Sequence, residues 1–342
     1  VPIIRSFDSP FKIEDWTQEL LVVPNMYGKI QRMGLFDVEG VATNTITFEE
    51  INQNIGLIGD RIRGERNNVS KDYTRKIRSY PVPHFPLDDA IKPGDIQGKA
   101  AYGGSGQGIP EQLDLVRARK LERIRRMHAQ TLETARMKLL TTGDLYAPNG
   151  TIAGNFYTDF GVTRKEVDFL LGTSTTEILL KQEEITAHIQ DNAFTGDVIT
   201  EIVGLASPTF MNKLSTHPTI KDAYKFYSST QEPLRNRVGG NGVDREFVLG
   251  NIRYIEYRGF APDGTAFVPS GDCYFVPMGT ADVFKTYFGP ADRFEFTNTV
   301  GQEAYVFEFK NQTDTEILLQ SESNFLNVMR RPAIVARAFS SN

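Results

Sequence analysis

A glycine-rich run, four histidines and one cysteine are the residues of this chain whose types could do chemistry. The run Gly103-Gly104-Ser105-Gly106-Gln107-Gly108 stands just ahead of a helical stretch, where backbone N–H groups can cradle a phosphate. A phosphate loop needs Gly-Lys-Ser/Thr at the helix start, and here the residues after Gly108 are Ile109, Pro110 and Glu111. A dinucleotide site needs a preceding strand and an acid about 20 positions on. The run therefore reads as a hinge. His84, His128, His188 and His217 are scattered, without the spacing of a zinc pair on one helix. His84 with Asp88 and Asp89 is the best local metal cluster, and a turn through Pro-His-Phe-Pro-Leu-Asp-Asp explains it more simply. The carboxylates of Asp88/Asp89 and Glu183/Glu184 are sequence neighbours, which do not face one substrate as paired acids must. Cys273 lies in Gly-Asp-Cys-Tyr-Phe-Val-Pro-Met, the setting of a buried, inert strand thiol. No catalytic residue, cofactor or metal ligand is expected.

The elements that carry these residues look made for contact. The longest helix is expected over 110–141. Pro110 suits its first turn, and Leu121, Ile124, His128, Leu132, Ala135 and Leu139 recur at spacings of three and four. Its other face is basic: Arg117, Arg119, Lys120 and Arg123 are candidates to face DNA by neutralising phosphates without sequence preference, against the simpler reading of a solvated, ion-paired face. A short helix is expected over 14–22, a hairpin over 146–161 with Asn149-Gly150 at its tip, and a helix over 176–193 with Ile178, Leu179, Ile185 and Ile189 inward. Buried strands are expected at 198–208, 247–259 and around Cys273. Strands after about 300 return to pack on the long helix.

Residues 34–110 do not read as core. They are extended, rich in Pro, Gly and charge, and too long for an ordinary loop. Thr45–Ile51 alternates as a strand. Residues 60–66 and 74–80 read as two charged halves of a long exposed hairpin, which needs a partner or charge for protection. Arg61, Arg63, Arg66, Arg75, Lys76 and Arg78 are its candidate inter-subunit contacts, together with Trp16 in the preceding arm. Gly98, Gly103, Gly104, Gly106 and Gly108 are candidate hinges at its base.

Bulk composition agrees with an assembling subunit. The 342 residues are 40% hydrophobic and 24% charged, with a net charge of −5, so no global field draws the chain to nucleic acid or membrane. One cysteine excludes an intramolecular disulfide and fits a reducing compartment. The opening Val-Pro-Ile-Ile-Arg-Ser-Phe-Asp lacks the pattern of a secretory signal, and no apolar run reaches the roughly 18–20 residues of a membrane span.

Several short motifs occur in one order: Pro-Asn-Met-Tyr-Gly (24–28), Met-Gly-Leu-Phe (33–36), Thr-Ile-Thr-Phe-Glu-Glu (45–50), Ile-Arg-Gly-Glu (62–65), Val-Pro-His-Phe-Pro-Leu-Asp-Asp (82–89) and Asp-Ile-Gln-Gly (95–98). The chain closes with Gln-Ser-Glu-Ser-Asn-Phe-Leu-Asn-Val-Met-Arg-Arg-Pro-Ala-Ile-Val-Ala-Arg-Ala-Phe (320–339). This order resembles the major capsid proteins of tailed phages, in particular the lambda-type capsid E family. The resemblance covers most of the chain, residues 198–300 matching mainly in kind. It implies an α+β fold of the Hong Kong 97 type: an N-terminal arm (1–42), an extended loop (43–108), a peripheral domain (109–189) with a spine helix over 110–141, an axial domain (190–300) and returning peripheral strands (301–342). It further implies pentamers and hexamers of an icosahedral shell around double-stranded DNA, assembled in the host cytoplasm, with scaffolding, portal and decoration proteins as partners and no membrane. An encapsulin-like compartment shell is the nearest rival reading. A soluble enzyme with its site in 198–300 is the more distant one.

Overall fold

The computed structural model describes residues 14–15, 28–52, 74–97, 113–147, 149, 154–193, 198–221, 245–261, 264–280, 282–313 and 315–342. In chain order its elements are β1 (Glu14–Asp15), α1 (Lys29–Met33), β2 (Asp37–Gly40), β3 (Thr45–Asn52), β4 (Thr74–Pro81), β5 (His84–Ile91) and α2 (Pro93–Ile96). There follow α3 (Leu113–Thr142), α4 (Phe156–Phe160), β6 (Lys165–Asp168), α5 (Ile178–Asp191), β7 (Glu201–Ala206) and α6 (Pro208–Thr216). The last are β8 (Glu246–Leu249), β9 (Ile252–Glu256), β10 (Asp272–Met278), β11 (Phe284–Phe288), β12 (Tyr305–Lys310), β13 (Ile317–Met329) and β14 (Ala336–Phe339).

Helix α3 is the axis on which the rest is mounted. At 1.5 Å per residue its 30 residues span roughly 45 Å, and all six residues of the expected stripe are buried. Near its start Val116, Leu121 and Ile124 pack on Ile91, Val306 and Leu319. Leu132 and Ala135 follow against Phe288 and Phe325, and Met137, Leu139 and Leu140 enter the main core. Gly143 ends the helix in the left-handed region at φ 76°, and a Cβ there would fall 2.3 Å from the Tyr157 ring. Any other residue would be strained twice over at that corner.

Two mixed sheets make up the rest of the fold, and α3 packs on the first. In the first, the order is β1-β12-β13-β11-β2, and β5 pairs with β13 on the edge opposite β12. The long β13 serves both halves: residues 317–324 pair with β12 and β5, residues 325–329 with β11. The second sheet runs β6-β14-β10-β7-β9-β8. Cys273 lies on β10 and is fully buried, and burial drives its thiol pKa well above the ordinary value. β3 and β4 form a separate two-stranded ribbon.

Several expectations change. Glu14–Asp15, placed in a helix over 14–22, forms a strand on the edge of β12; the remainder of that segment lies outside the described residues. The expected turn at 84–89 is a strand, because its odd residues Phe85 and Leu87 pack toward α3 while the even ones face out. Of the segment 146–161 expected as a hairpin, Phe156–Phe160 forms α4, capped by Asn155, which bridges to Asp144, and residues 148 and 150–153 at the expected tip lie outside the described residues. Leu179 is exposed on α5, whereas Ile178, Ile185 and Ile189 are buried. The single strand expected over 247–259 is the β8–β9 hairpin, reversed at Gly250 with φ 57°. The return to the first sheet begins at β11, before residue 300. β14, expected with the returning strands, pairs with β10 and β6 in the second sheet. Its buried Ala336 and Ala338 are small enough for that interior position.

His128 illustrates how the stripe tolerates a polar residue. Its Nε2 lies 3.0 Å from the Ser321 hydroxyl, and that hydroxyl donates its own hydrogen to the Leu87 carbonyl. Nε2–H is therefore the donor to Ser321. Burial, aided by Arg125, lowers the pKa to about 4. The unfolded chain takes up this proton near pH 6.5 and the folded one does not, so stability is full above that value and falls as the pH drops toward 4. The expected loss by pH 4 is about 3 kcal/mol, and thermal melts of His128→Gln compared with the parent should show a flatter acid limb.

Candidate functional site

The ribbon is the feature that the fold leaves least covered. Its register pairs Ile46 with Tyr80, Phe48 with Arg78 and Glu49 with Ile77. The proximal half is anchored. Ile46 and Tyr80 are buried, Tyr80 stacks on Phe156 at 5.2 Å, and its hydroxyl donates to Asp159 at 2.9 Å. Burial first, and Asp159 second, push that phenol above its usual range. Phe48 packs near Tyr80 and Tyr287, and Arg78 lies over the Phe160 ring at 4.7 Å. Alternation puts Ile46, Phe48 and Tyr80 on one face, and that face grips the body.

Farther out, the described side chains are open to solvent. Ile77 is 72% exposed, and Lys76 beside it is exposed. The expected partner of 74–80 was 60–66, but β4 pairs with β3 along its whole length. Arg75 sits opposite Ile51 in that ladder. Trp16, Arg61, Arg63 and Arg66, and the hinge glycines 98, 103, 104, 106 and 108, lie outside the described residues.

The basic face of α3 divides in two. Arg117 forms a two-pronged pair with Glu308, Nη2–Oε1 2.7 Å and Nε–Oε2 2.8 Å, and also reaches Asp114 at 2.9 Å. Glu308 is fully buried. Lys120 bridges the Asp89 carboxylate and the Ala90 carbonyl, each at 2.8 Å. Both cations fasten the helix to the sheet, so the expectation that they face DNA is corrected for these two. Arg119 and Arg123 lie on the exposed side. Charge spacing alone did not separate the two groups, since the separation depends on where β5 and β12 pass.

The C-terminal half of α3 holds a buried polar centre that no sequence motif marked. Glu133 Oε1 accepts from the Ile30 backbone N–H at 3.0 Å and from the Tyr257 hydroxyl at 2.5 Å. One carboxylate thus ties α1, the long helix and the segment after β9. Arg136, one turn on, donates to Thr286 at 3.0 Å and lies over the Phe36 ring. Burial lowers its pKa to about 10, so it stays charged at neutral pH. His84 does not reach Asp88 or Asp89 to chelate; its Nδ1 lies 2.7 Å from Asn324 Oδ1 and 3.3 Å from Glu322. Among the described residues no cluster of His, Cys, Asp and Glu is disposed to hold a metal, and no helix is long and apolar enough to cross a membrane.

A long helix packed on a sheet, with a ribbon anchored at its base, is the frame that these residues build. Comparison with known proteins gives that frame a family. Residues 14–340 match the model of phage major capsid protein E. The chain belongs to the phage major capsid protein E family. The capsid chain is 45% identical to the major capsid protein of Pseudomonas phage KPP10 over 98% of each protein. It is 29% identical to that of Salmonella phage Felix O1, over 97% of each. The mature capsid of bacteriophage PhiM1 contains a chain of the same fold: TM-score 0.56, covering 93% of this chain and 89% of that one, at 13% identity. At that identity the likeness is one of fold, the Hong Kong 97 type. As a phage capsid protein the chain is structural, a component of the virion shell, and not an enzyme.

Proposed function

We propose that this capsid protein assembles into pentamers and hexamers of an icosahedral shell that encloses double-stranded DNA, with the β3–β4 ribbon lying on a neighbouring subunit. The observation that carries this reading is the half-anchored ribbon. Ile46, Phe48 and Tyr80 fix its base while Ile77 is held in solvent, an arrangement that costs free energy unless another surface covers it. Heterologous contacts of this kind close rings when the rotation fits, and many modest contacts add through multivalency.

On this reading residues 1–42 are the arm, 43–108 the extended loop, 109–189 with β11, β12 and β13 the peripheral part, and the remainder of 190–300 the axial part, whose sheet also takes in β6 and β14. The glycines from 98 to 108 let the loop base adapt to rings of five and six. Arg119 and Arg123 are the DNA-facing candidates on α3. Scaffolding, portal and decoration proteins are its partners, and assembly takes place in the host cytoplasm. Negative-stain microscopy of the purified chain, with and without a scaffold, tests the proposal. Closed, uniform shells are expected, and a persistent monomer under all conditions would refute it.

A further inference from the structure

Glu133 carries more connections than its own helix needs. It stands on α3 and is 5% exposed. Its Oε1 takes hydrogen bonds from two separate parts of the chain: the Ile30 N–H of α1 at 3.0 Å, and the Tyr257 hydroxyl, from the segment after β9, at 2.5 Å. Its Oε2 is buried with no donor among the described residues.

Both donors arrive on pieces that are themselves fixed. Tyr257 extends the ladder of the second sheet, its N–H donating to the Ala206 carbonyl at 2.9 Å. Its ring is buried and packs near Phe267. Burial first, and Glu133 second, hold its phenol pKa well above the ordinary range, so the hydroxyl remains a donor. On the other side, α1 has five residues, too few to hold helical form unaided. Ile30 seats it in the core, and Lys29 Nζ donates to the Glu256 carbonyl at 3.0 Å. Gly28, with φ 100°, comes so close that a Cβ there would lie 3.2 Å from Glu133 Oε2. α1 is thus wedged between the long helix and the end of β9, and it leads into β2 on the edge of the first sheet.

A buried carboxylate is tolerated when donors replace its lost hydration. With Oε2 already unmatched, Glu133 depends on both bonds at Oε1. If α1 lifts, the carboxylate keeps one donor in a buried setting and turns toward water, which takes the partner from Tyr257. If the second sheet shifts, α1 loses its tie in the same way. Groups in one buried network act together rather than as independent pairs. We infer that Glu133 is a latch through which α1 and the second sheet dock on the long helix together, so that moving either one releases the other. The latch is a property of the single subunit and stands apart from the shell reading.

Amide exchange of the full-length subunit, read on peptides covering 29–33 and 252–258, tests this with substitutions that each touch one side. Tyr257→Phe removes a hydroxyl and leaves α1 untouched, yet exchange in 29–33 is expected to rise about fivefold or more. Gly28→Ala presses on the carboxylate from the α1 side, and exchange in 252–258 is expected to rise by a similar factor. Peptides of the β12–β13 hairpin, which carries no part of the latch, should stay within about twofold of the parent in both. In a Glu133→Gln background, where no charge waits for a donor, Tyr257→Phe should change 29–33 by less than about twofold. Exchange that rises only on the substituted side, no rise in either peptide, or an equal rise in every peptide would overturn the latch.

Discussion

Replacing residues 49–77 with a short Asn-Gly turn is expected to leave a folded subunit that no longer builds shells. The cut spares the anchored half of the ribbon. Tyr80, Ile46 and Phe48 keep their packing, so the melting temperature should stay close to that of the parent. What is lost is the part offered to a neighbour. Covering about 100 Å² of apolar surface per ribbon is worth about 2.5 kcal/mol, or a factor of roughly 50 or more in the concentration needed to assemble. The contact recurs at every subunit, so the deficit multiplies across the shell. A cut extended through Tyr80 should behave differently. It removes a ring stacked on Phe156 and costs about 3–5 kcal/mol of fold stability as well. Sedimentation velocity and calorimetry of the two deletions would separate the effects. Normal shells from the shorter deletion would contradict the role given to the ribbon.

Arg117→Ala is expected to cost about 3–5 kcal/mol of subunit stability, because it leaves Glu308 buried without its partner. Arg123→Ala, an exposed site, should stay within about 0.5 kcal/mol of the parent. Arg117→Met combined with Glu308→Gln should recover much of the loss, since removing both charges removes the penalty as well as the attraction. Denaturant unfolding of the three variants checks this. If Arg117 served DNA instead of the fold, Arg117→Ala would unfold like the parent while its shells retained less DNA.

These two experiments also mark what could be read without coordinates. The α3 stripe was legible because Leu121, Ile124, His128, Leu132, Ala135 and Leu139 keep one helical period over their whole length. Cys273 was legible because a thiol amid Tyr, Phe and Val on a strand has nowhere polar to go. The ribbon was legible as an exposed, charged extension, but its pairing was not. β3 and β4 are joined by a segment of more than 20 residues, and local spacing favoured the nearer candidate at 60–66. Two prolines and two aspartates within 83–89 point to a turn, whereas an edge next to β13 accommodates Pro86 in strand geometry. Arg117 and Arg119 were indistinguishable by charge. Glu308, from nearly 200 residues away, makes one structural and leaves the other outside.

Hydrogen–deuterium exchange of peptides spanning 45–52 and 74–81, followed before and after assembly, puts the least machinery between the claim and its answer. Dispersed subunits should show slow exchange around Ile46 and Tyr80 and fast exchange around Glu49 and Ile77. In shells the fast amides should slow by at least tenfold, as a neighbour covers them. Exchange at Glu49 and Ile77 that stays equally fast in closed shells would mean that no neighbour completes this subunit through its ribbon.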